Sequence, residues 1–195
     1  MKRILLVVGF TFLFSGCLLG SSVNFSIGRN YYEKNDFKNA EIYFMKALNE
    51  NKDDEAYYHL GVLYARQEKI ELAEKYYKLA VENGYPGAYN NLGVLYENQK
   101  KYDLAEKFYK LGIENEISYA IRNLALLYDK QKKFDLAEKY YKLAIEDGNT
   151  DAYDDLGTIY RNQKKYDLAE KFYKLGIESE DFYAAKNLAY LYENQ

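Results

Sequence analysis

A period of 32 residues governs most of this chain. Leu60-Gly61 recurs as Leu92-Gly93, Leu124-Ala125, Leu156-Gly157 and Leu188-Ala189, and Leu72-Ala73-Glu74-Lys75 recurs unchanged from Leu104, Leu136 and Leu168. At twice that period, the letters NQKKYDLAEKFYKLGIE stand at 98–114 and again at 162–178. A more divergent copy, with Ile27-Gly28 and Asn39-Ala40-Glu41, lies upstream. So short a unit buries little by itself, and fixed-period copies therefore stack into an array in which each unit rests on its neighbours.

Inside one unit, apolar residues fall twice at helical spacing. Tyr57, Leu60, Gly61 and Tyr64 share the face of a first helix, A; after a polar turn, Leu72, Ala73, Tyr76, Tyr77, Leu79 and Ala80 make the broad apolar face of a second helix, B. Nothing alternates with period two, so the chain is expected to be all-α. Asp103 followed by Glu106 has capping-box spacing and predicts the start of a helix B at Asp103. Gly84 and Gly148 suit left-handed helix ends.

These columns resemble the tetratricopeptide repeats and the related Sel-one-like repeats. The resemblance covers residues 24–195 and rests on four columns: small residues Gly28, Gly61, Gly93, Ala125, Gly157, Ala189; tyrosines Tyr31, Tyr64, Tyr96, Tyr128, Tyr160, Tyr192; small residues Ala40, Ala73, Ala105, Ala137, Ala169; and aromatics Phe44, Tyr77, Tyr109, Tyr141, Tyr173. It implies a right-handed α-solenoid of antiparallel helix pairs, five pairs plus a C-terminal capping helix. The spacing from Gly61 to Ala73 is that of tetratricopeptide repeats, and that from Ala73 to Gly93 resembles the Sel-one-like spacing. One departure concerns the inter-helix turn, where the usual Gly is Lys100, Lys132 or Lys164.

A second alternation runs along the array. Repeats with Ala80 or Ala144 are followed by Gly93 or Gly157, and those with Gly112 or Gly176 are followed by Ala125 or Ala189. If the two residues of each set face each other where helix B meets the next helix A, the swap conserves volume in a close-packed interior; otherwise it records ancestry alone.

Residues 1–16 read as a signal peptide. Lys2 and Arg3 precede an apolar run from Ile4 to Phe14 that is short for a transmembrane helix, and Ser15-Gly16-Cys17 follows. The stretch from Leu13 to Cys17 resembles a bacterial lipobox, which implies a lipidated, palmitate-bearing Cys17 and a short tether over 17–23; an ordinary cleaved signal and an uncleaved anchor are the alternatives. Cys17 is the sole cysteine, so no intrachain disulfide forms. Localisation is then an envelope membrane, outer membrane or cell surface, and otherwise periplasmic or secreted.

The 27 basic and 30 acidic residues are evenly mixed, which excludes a basic nucleic-acid stripe. His59 is the lone histidine and has no second thiol or imidazole for a zinc site or a nucleophile relay. The residues point to no cofactor, metal, small-molecule substrate or catalytic group. By the resemblance, helix A lines a concave groove through Tyr58, Val62 and Arg66; Asn90, Val94, Glu97 and Asn98; Arg122, Leu126 and Asp129; Asp154 and Arg161; and Lys186 and Tyr190. These positions vary while the core columns hardly change, as a surface tailored to a partner would, and as an idle solvated one would too. The carboxylate clamp of chaperone-binding relatives is missing, because its second column is Val62, Val94, Leu126, Thr158 and Tyr190. The expected function is a membrane-anchored scaffold holding a protein partner, a peptide or a helix, in envelope assembly or surface-machine biogenesis. An envelope hydrolase or its regulator, and a secreted effector binding host proteins, are the alternatives.

Overall fold

The computed structural model describes residues 23–51 and 54–194. The described residues form eleven helices and no strand. Helix α1 covers 23–33, and α2 (Phe37–Asn51), α3 (Asp54–Arg66), α4 (Ile70–Glu82), α5 (Gly87–Asn98), α6 (Tyr102–Glu114), α7 (Ser118–Lys130), α8 (Phe134–Glu146), α9 (Asp151–Asn162), α10 (Tyr166–Glu178) and α11 (Phe182–Glu193) follow. Odd-numbered helices are the A helices and even-numbered ones the B helices, as the period predicts. The described part of α1 already includes residue 23, next to the expected domain start at 24.

The helices group into two compact units, Met1–Asn91 and Leu92–Gln195. In the first, α1 and α2 form one hairpin and α3 and α4 another. In the second, α7 pairs with α8 and α9 with α10, while α11 packs on both α9 and α10. The all-α architecture of stacked helix hairpins expected from the repeats is the one observed.

Apart from the link between α2 and α3, which lies outside the described residues, the turns between helices are made the same way. Lys132 donates its backbone N–H to the Asp129 carbonyl and Lys133 to that of Tyr128, and Gly148 and Asn149 do the same to Ile145 and Ala144. These paired bonds are Schellman motifs, whose central residue is left-handed. Gly84 and Gly148 fill it with φ of 87° and 89°, as expected, but Lys100, Lys132 and Lys164 fill it with φ of 59–60°, and Glu116 and Glu180 with 61° and 63°. The two carbonyls satisfied at each helix end hold a side-chain-bearing residue where glycine is usual, at a cost of roughly 1 kcal/mol per residue. Lys132→Gly should therefore raise the free energy of unfolding by about 1 kcal/mol. Gly148→Ala should lower it by a similar amount, because nothing lies within 4 Å of the added methyl to change the packing. Urea midpoints of the two variants check both signs, and equal midpoints would show that these turns carry no backbone cost.

The expected cap at Asp103 is not observed. Helix α6 starts one residue earlier, at Tyr102, its N-cap position is Lys101, and no side chain caps it. Asp103, like Asp135 and Asp167, lies in the first helical turn, where its charge opposes the positive end of the helix dipole. True caps occur elsewhere: Asp36 accepts from the Asn39 backbone N–H, and Asp181 from that of Tyr183.

The four sequence columns supply much of the core, together with the helix-A leucines Leu60, Leu92, Leu124 and Leu156. Ala73, Ala105, Ala137 and Ala169 are fully buried, as are Tyr109, Tyr141 and Tyr173 to within a percent. The matched Gly and Ala junctions, by contrast, do not form as expected. A Cβ on Gly157 would meet the ring of Tyr173, sixteen residues on, at 2.6 Å, and one on Gly93 the ring of Tyr109 at 2.4 Å. Gly176 faces Ala184 rather than Ala189, with 2.8 Å to its Cβ. The glycine of helix A thus makes room for the aromatic of its own helix B, and the glycine of helix B makes room for the start of the next helix A.

A polar ladder lies beside this core. Tyr192 donates to Glu170 at 2.8 Å, and Tyr128 and Tyr160 donate to Glu106 and Glu138. Each of these glutamates is also bound by the lysine four residues on, at 2.6–2.7 Å. In the first unit Tyr64 donates to Glu41 at 2.8 Å. The constant Glu of the Leu-Ala-Glu-Lys motif therefore ties its own helix B to the tyrosine of the following helix A.

Candidate partner-binding surface

The varied positions of helix A come together within the second unit as a laced stripe. Arg122 donates through Nε to Asp155 at 2.6 Å and lies 3.3 Å from Asp151, joining α7 to α9. Asn187 donates to Asp154 at 2.7 Å, and the Arg161 guanidinium lies over the Tyr190 ring at 5.3 Å, joining α9 to α11. Glu97 accepts from Lys130 at 3.2 Å and from the Tyr109 hydroxyl at 2.8 Å. Arg122, Asp154, Arg161 and Glu97 are each matched to a residue on the next helix A, so a change of letter at one of these positions goes with its partner.

Between these pairs runs a row of apolar or hydroxyl-bearing side chains. Val94 and Tyr190 are exposed, Leu126 and Thr158 are half-buried, and Thr158 shares a 3.1 Å hydrogen bond with Tyr173. Asp129 stands beside this row, where burial alone pushes its carboxyl above the usual range. Burial also raises Asp154, against the lowering effect of its bond from Asn187. Burial raises Asp155 too, against Arg122. Lys186 and Asn98 are exposed at the edges.

In the first unit the predicted positions behave differently. Tyr58 packs on Tyr85 with centroids 4.7 Å apart, and the Arg66 guanidinium lies over Tyr32 and Phe37 at 5.3 and 5.4 Å. Val62 is half-buried, and Asn90, at 6% exposure, belongs to the interior. His59 is wedged between Phe25 and Phe44, 4.9 and 5.5 Å away, which gives it a packing role. Cys17 and the signal segment lie outside the described residues.

The sequence-predicted stripe omitted Asp151, Asp155 and Asn187, which hold its charged members in place. Their signal was present as opposite or hydrogen-bonding partners 29 or 33 residues apart, a spacing that acquires meaning only once successive A helices are known to touch. Among the described residues, no group of three or more His, Cys, Asp or Glu side chains could hold a metal ion. No described helix is long and apolar enough to cross a membrane.

Comparison with solved structures finds the same fold repeatedly. One, described as the functional characterization of Pseudomonas aeruginosa pilF, superposes with a TM-score of 0.75 at 19% identity, over 92% of this chain and 87% of that one. A crystal structure of MamA protein matches with a TM-score of 0.65 at 24% identity, over 85% and 94%. A third, BtubC (BKLC) from P. vanneervenii, matches at 0.68 and 21%, over 82% and 78%. No curated protein sequence matches this chain. Two family models do match, both described as tetratricopeptide repeat, one over residues 25–87 and the other over 86–116, 123–146 and 150–182. Together they span most of the sequence, and the chain belongs to the tetratricopeptide repeat family.

Proposed function

We propose that this chain is an exported scaffold, anchored by lipid on Cys17 to an envelope membrane, that holds a protein segment along its helix-A stripe. Tetratricopeptide repeats typically mediate protein–protein interaction and are generally non-catalytic. The observation that carries the finer reading is the row Val94, Leu126, Thr158 and Tyr190, flanked by charges already held by partners on the neighbouring helix. A surface whose charged side chains are fixed before binding loses little further entropy when a partner arrives. Its apolar floor suits an extended segment or the apolar face of a helix.

The anchor rests on the sequence alone, with Lys2 and Arg3, the apolar run and Cys17 in lipobox order. Acyl chains would supply the membrane affinity that a mildly acidic protein does not obtain from anionic lipid. Such an address supports a role in assembling an envelope or surface machine.

One experiment in intact cells tests both parts. A photo-reactive residue at Leu126 should crosslink to a discrete partner, while one at Lys139, exposed on the outer face of α8, should not. The Cys17→Ser variant should lose fatty-acid label and leave the membrane fraction. Equal label in wild type and Cys17→Ser overturns the anchor, and equal crosslinking from the two positions overturns the stripe.

A further inference from the structure

In the second unit the repeat formed by α7 and α8 leaves two polar groups on the stripe without a partner among the described residues. The hydroxyl of the column aromatic is tied to helix A in the repeats on either side: Tyr109 donates to Glu97 at 2.8 Å, and Tyr173 shares its 3.1 Å bond with Thr158. Tyr141 fills the same column of α8, is 1% exposed, and its hydroxyl makes no hydrogen bond to a described residue. Burial raises this hydroxyl, and Asp155 and Asp129 raise it further against Arg122, which sets it among the charges of the stripe. Asp129 is the second group. It holds the place in α7 that Glu97 has in α5 and Arg161 in α9; Glu97 is bound by Lys130 and Tyr109, and Arg161 lies over the Tyr190 ring. The half-buried Asp129 carboxylate has neither a hydrogen bond nor an ion pair with any described residue, and the cations around it are committed, Arg122 to Asp155 and Asp151 and Lys130 to Glu97. Nothing local favours an acid there. The last turn of α7 presents the negative end of its dipole, and burial alone raises the carboxyl. A charge kept against these local costs, with no contact in the fold to offset them, is the kind of exception found at functional sites.

We propose that Asp129 and the Tyr141 hydroxyl together receive a lysine or arginine side chain of the segment held along the helix-A stripe. Resting on the stripe reading, this gives the occupant a chemistry, a cation set between apolar residues. An ammonium or guanidinium group donates to the carboxylate and to the hydroxyl oxygen at once, so both groups gain a partner and the carboxylate gains a counter-charge. A neutral donor supplies only the hydrogen bonds. An acidic side chain or a chain-terminal carboxylate is repelled by Asp129, in keeping with the missing carboxylate clamp. Leu126, three residues before Asp129 and on the same helix face, and Thr158 are half-buried, and the aliphatic stem of the cation lies on them. Val94 and Tyr190, exposed farther along the row, receive apolar residues of the segment.

The probe is the peptide acetyl-Leu-Ala-Lys-Ala-Leu-amide, with its arginine and norleucine counterparts, titrated at neutral pH into the purified full chain carrying isotope-labelled leucine and valine methyls. The lysine and arginine peptides should give saturable chemical-shift changes centred on the Leu126 methyls, and the norleucine peptide should not. Asp129→Asn should weaken this binding by at least about tenfold, the loss of a hydrogen bond to a charged group. Tyr141→Phe, which keeps the buried ring, should weaken it too. Asp129→Asn should also leave the urea midpoint unchanged or higher, because it removes a half-buried charge that no described residue pairs; a lower midpoint would give Asp129 a structural role and overturn the proposal. No saturable shift, equal shifts from the norleucine peptide, or binding that either variant leaves unchanged overturns it as well. So does a dimer of the chain that Asp129→Asn dissolves, which would make this protein's own lysines the occupant. Crosslinking from Leu126 together with no preference for the cationic peptides would keep the stripe and remove only this assignment.

Discussion

Tyr173→Ala should destabilise the second unit by about 3–5 kcal/mol, the range for emptying a large aromatic site in a core. Tyr173 is fully buried, and its ring occupies the space that the missing side chain of Gly157 leaves open, 2.6 Å from where a Cβ would stand. Gly157→Ala should cost about 1–3 kcal/mol through overpacking, less a helix-propensity gain of up to about 1 kcal/mol. If α9 and α10 can adopt the spacing that accommodates Ala125 in the preceding pair, the cost falls at the lower end. The decisive measurement is the double variant. With Tyr173 already Ala, the added methyl at 157 fills part of the cavity, so Gly157→Ala should become neutral or stabilising, and the coupling should reach at least about 1 kcal/mol. Additive denaturation midpoints would mean that the glycine column is not kept open for the ring, and that its pairing with the aromatic column is incidental.

Alkaline pH should unfold the protein in one cooperative step. Tyrosines ordinarily titrate near pH 10, but burial, aided by the bond to Glu106, pushes Tyr128 up to about 12. Burial, with Glu97 adding to it, also raises Tyr109, and burial with nearby Asp155 and Asp129 raises Tyr141. In the first unit Tyr64 is raised by burial and by Glu41. Each folded-state value lies above the unfolded one, so the native protein keeps protons that the unfolded chain releases. That contribution is complete below about pH 10 and is lost as pH rises toward the folded values. Because several tyrosines per unit share the shift, stability should fall steeply from about pH 10 upward. Tyrosinate absorbance from the buried rings should appear together with the loss of helical circular dichroism. Gradual ionisation of every tyrosine near pH 10 with the helices intact would show that the hydroxyls are not held by the fold.

The helices, their order, their assignment to A and B and most of the buried columns were legible in the sequence; the leucine column of helix B, Leu72, Leu104, Leu136 and Leu168, was expected on the apolar face and is exposed. The physical reason is that helical periodicity is local: residues three and four apart share a face whatever else the chain does, and the 32-residue repeat states that face five times. Gly84 and Gly148 were legible for the same reason, since a left-handed turn is a property of one residue and its neighbours. The turn lysines were not, because two backbone hydrogen bonds at a helix end outweigh the preference of the residue that must adopt positive φ. Tertiary structure alone decided which column meets which. Gly157 and Ala144 follow one another in sequence order, yet the separation and rotation of neighbouring helices set Gly157 against Tyr173 and Gly176 against Ala184. The same packing joined Tyr192 to Glu170, Arg122 to Asp155 and Asn187 to Asp154 across 22 and 33 residues. Linear spacing fixes the direction of a side chain about its own helix. What lies opposite depends on how two helices approach, and that is settled by the volumes of the side chains between them.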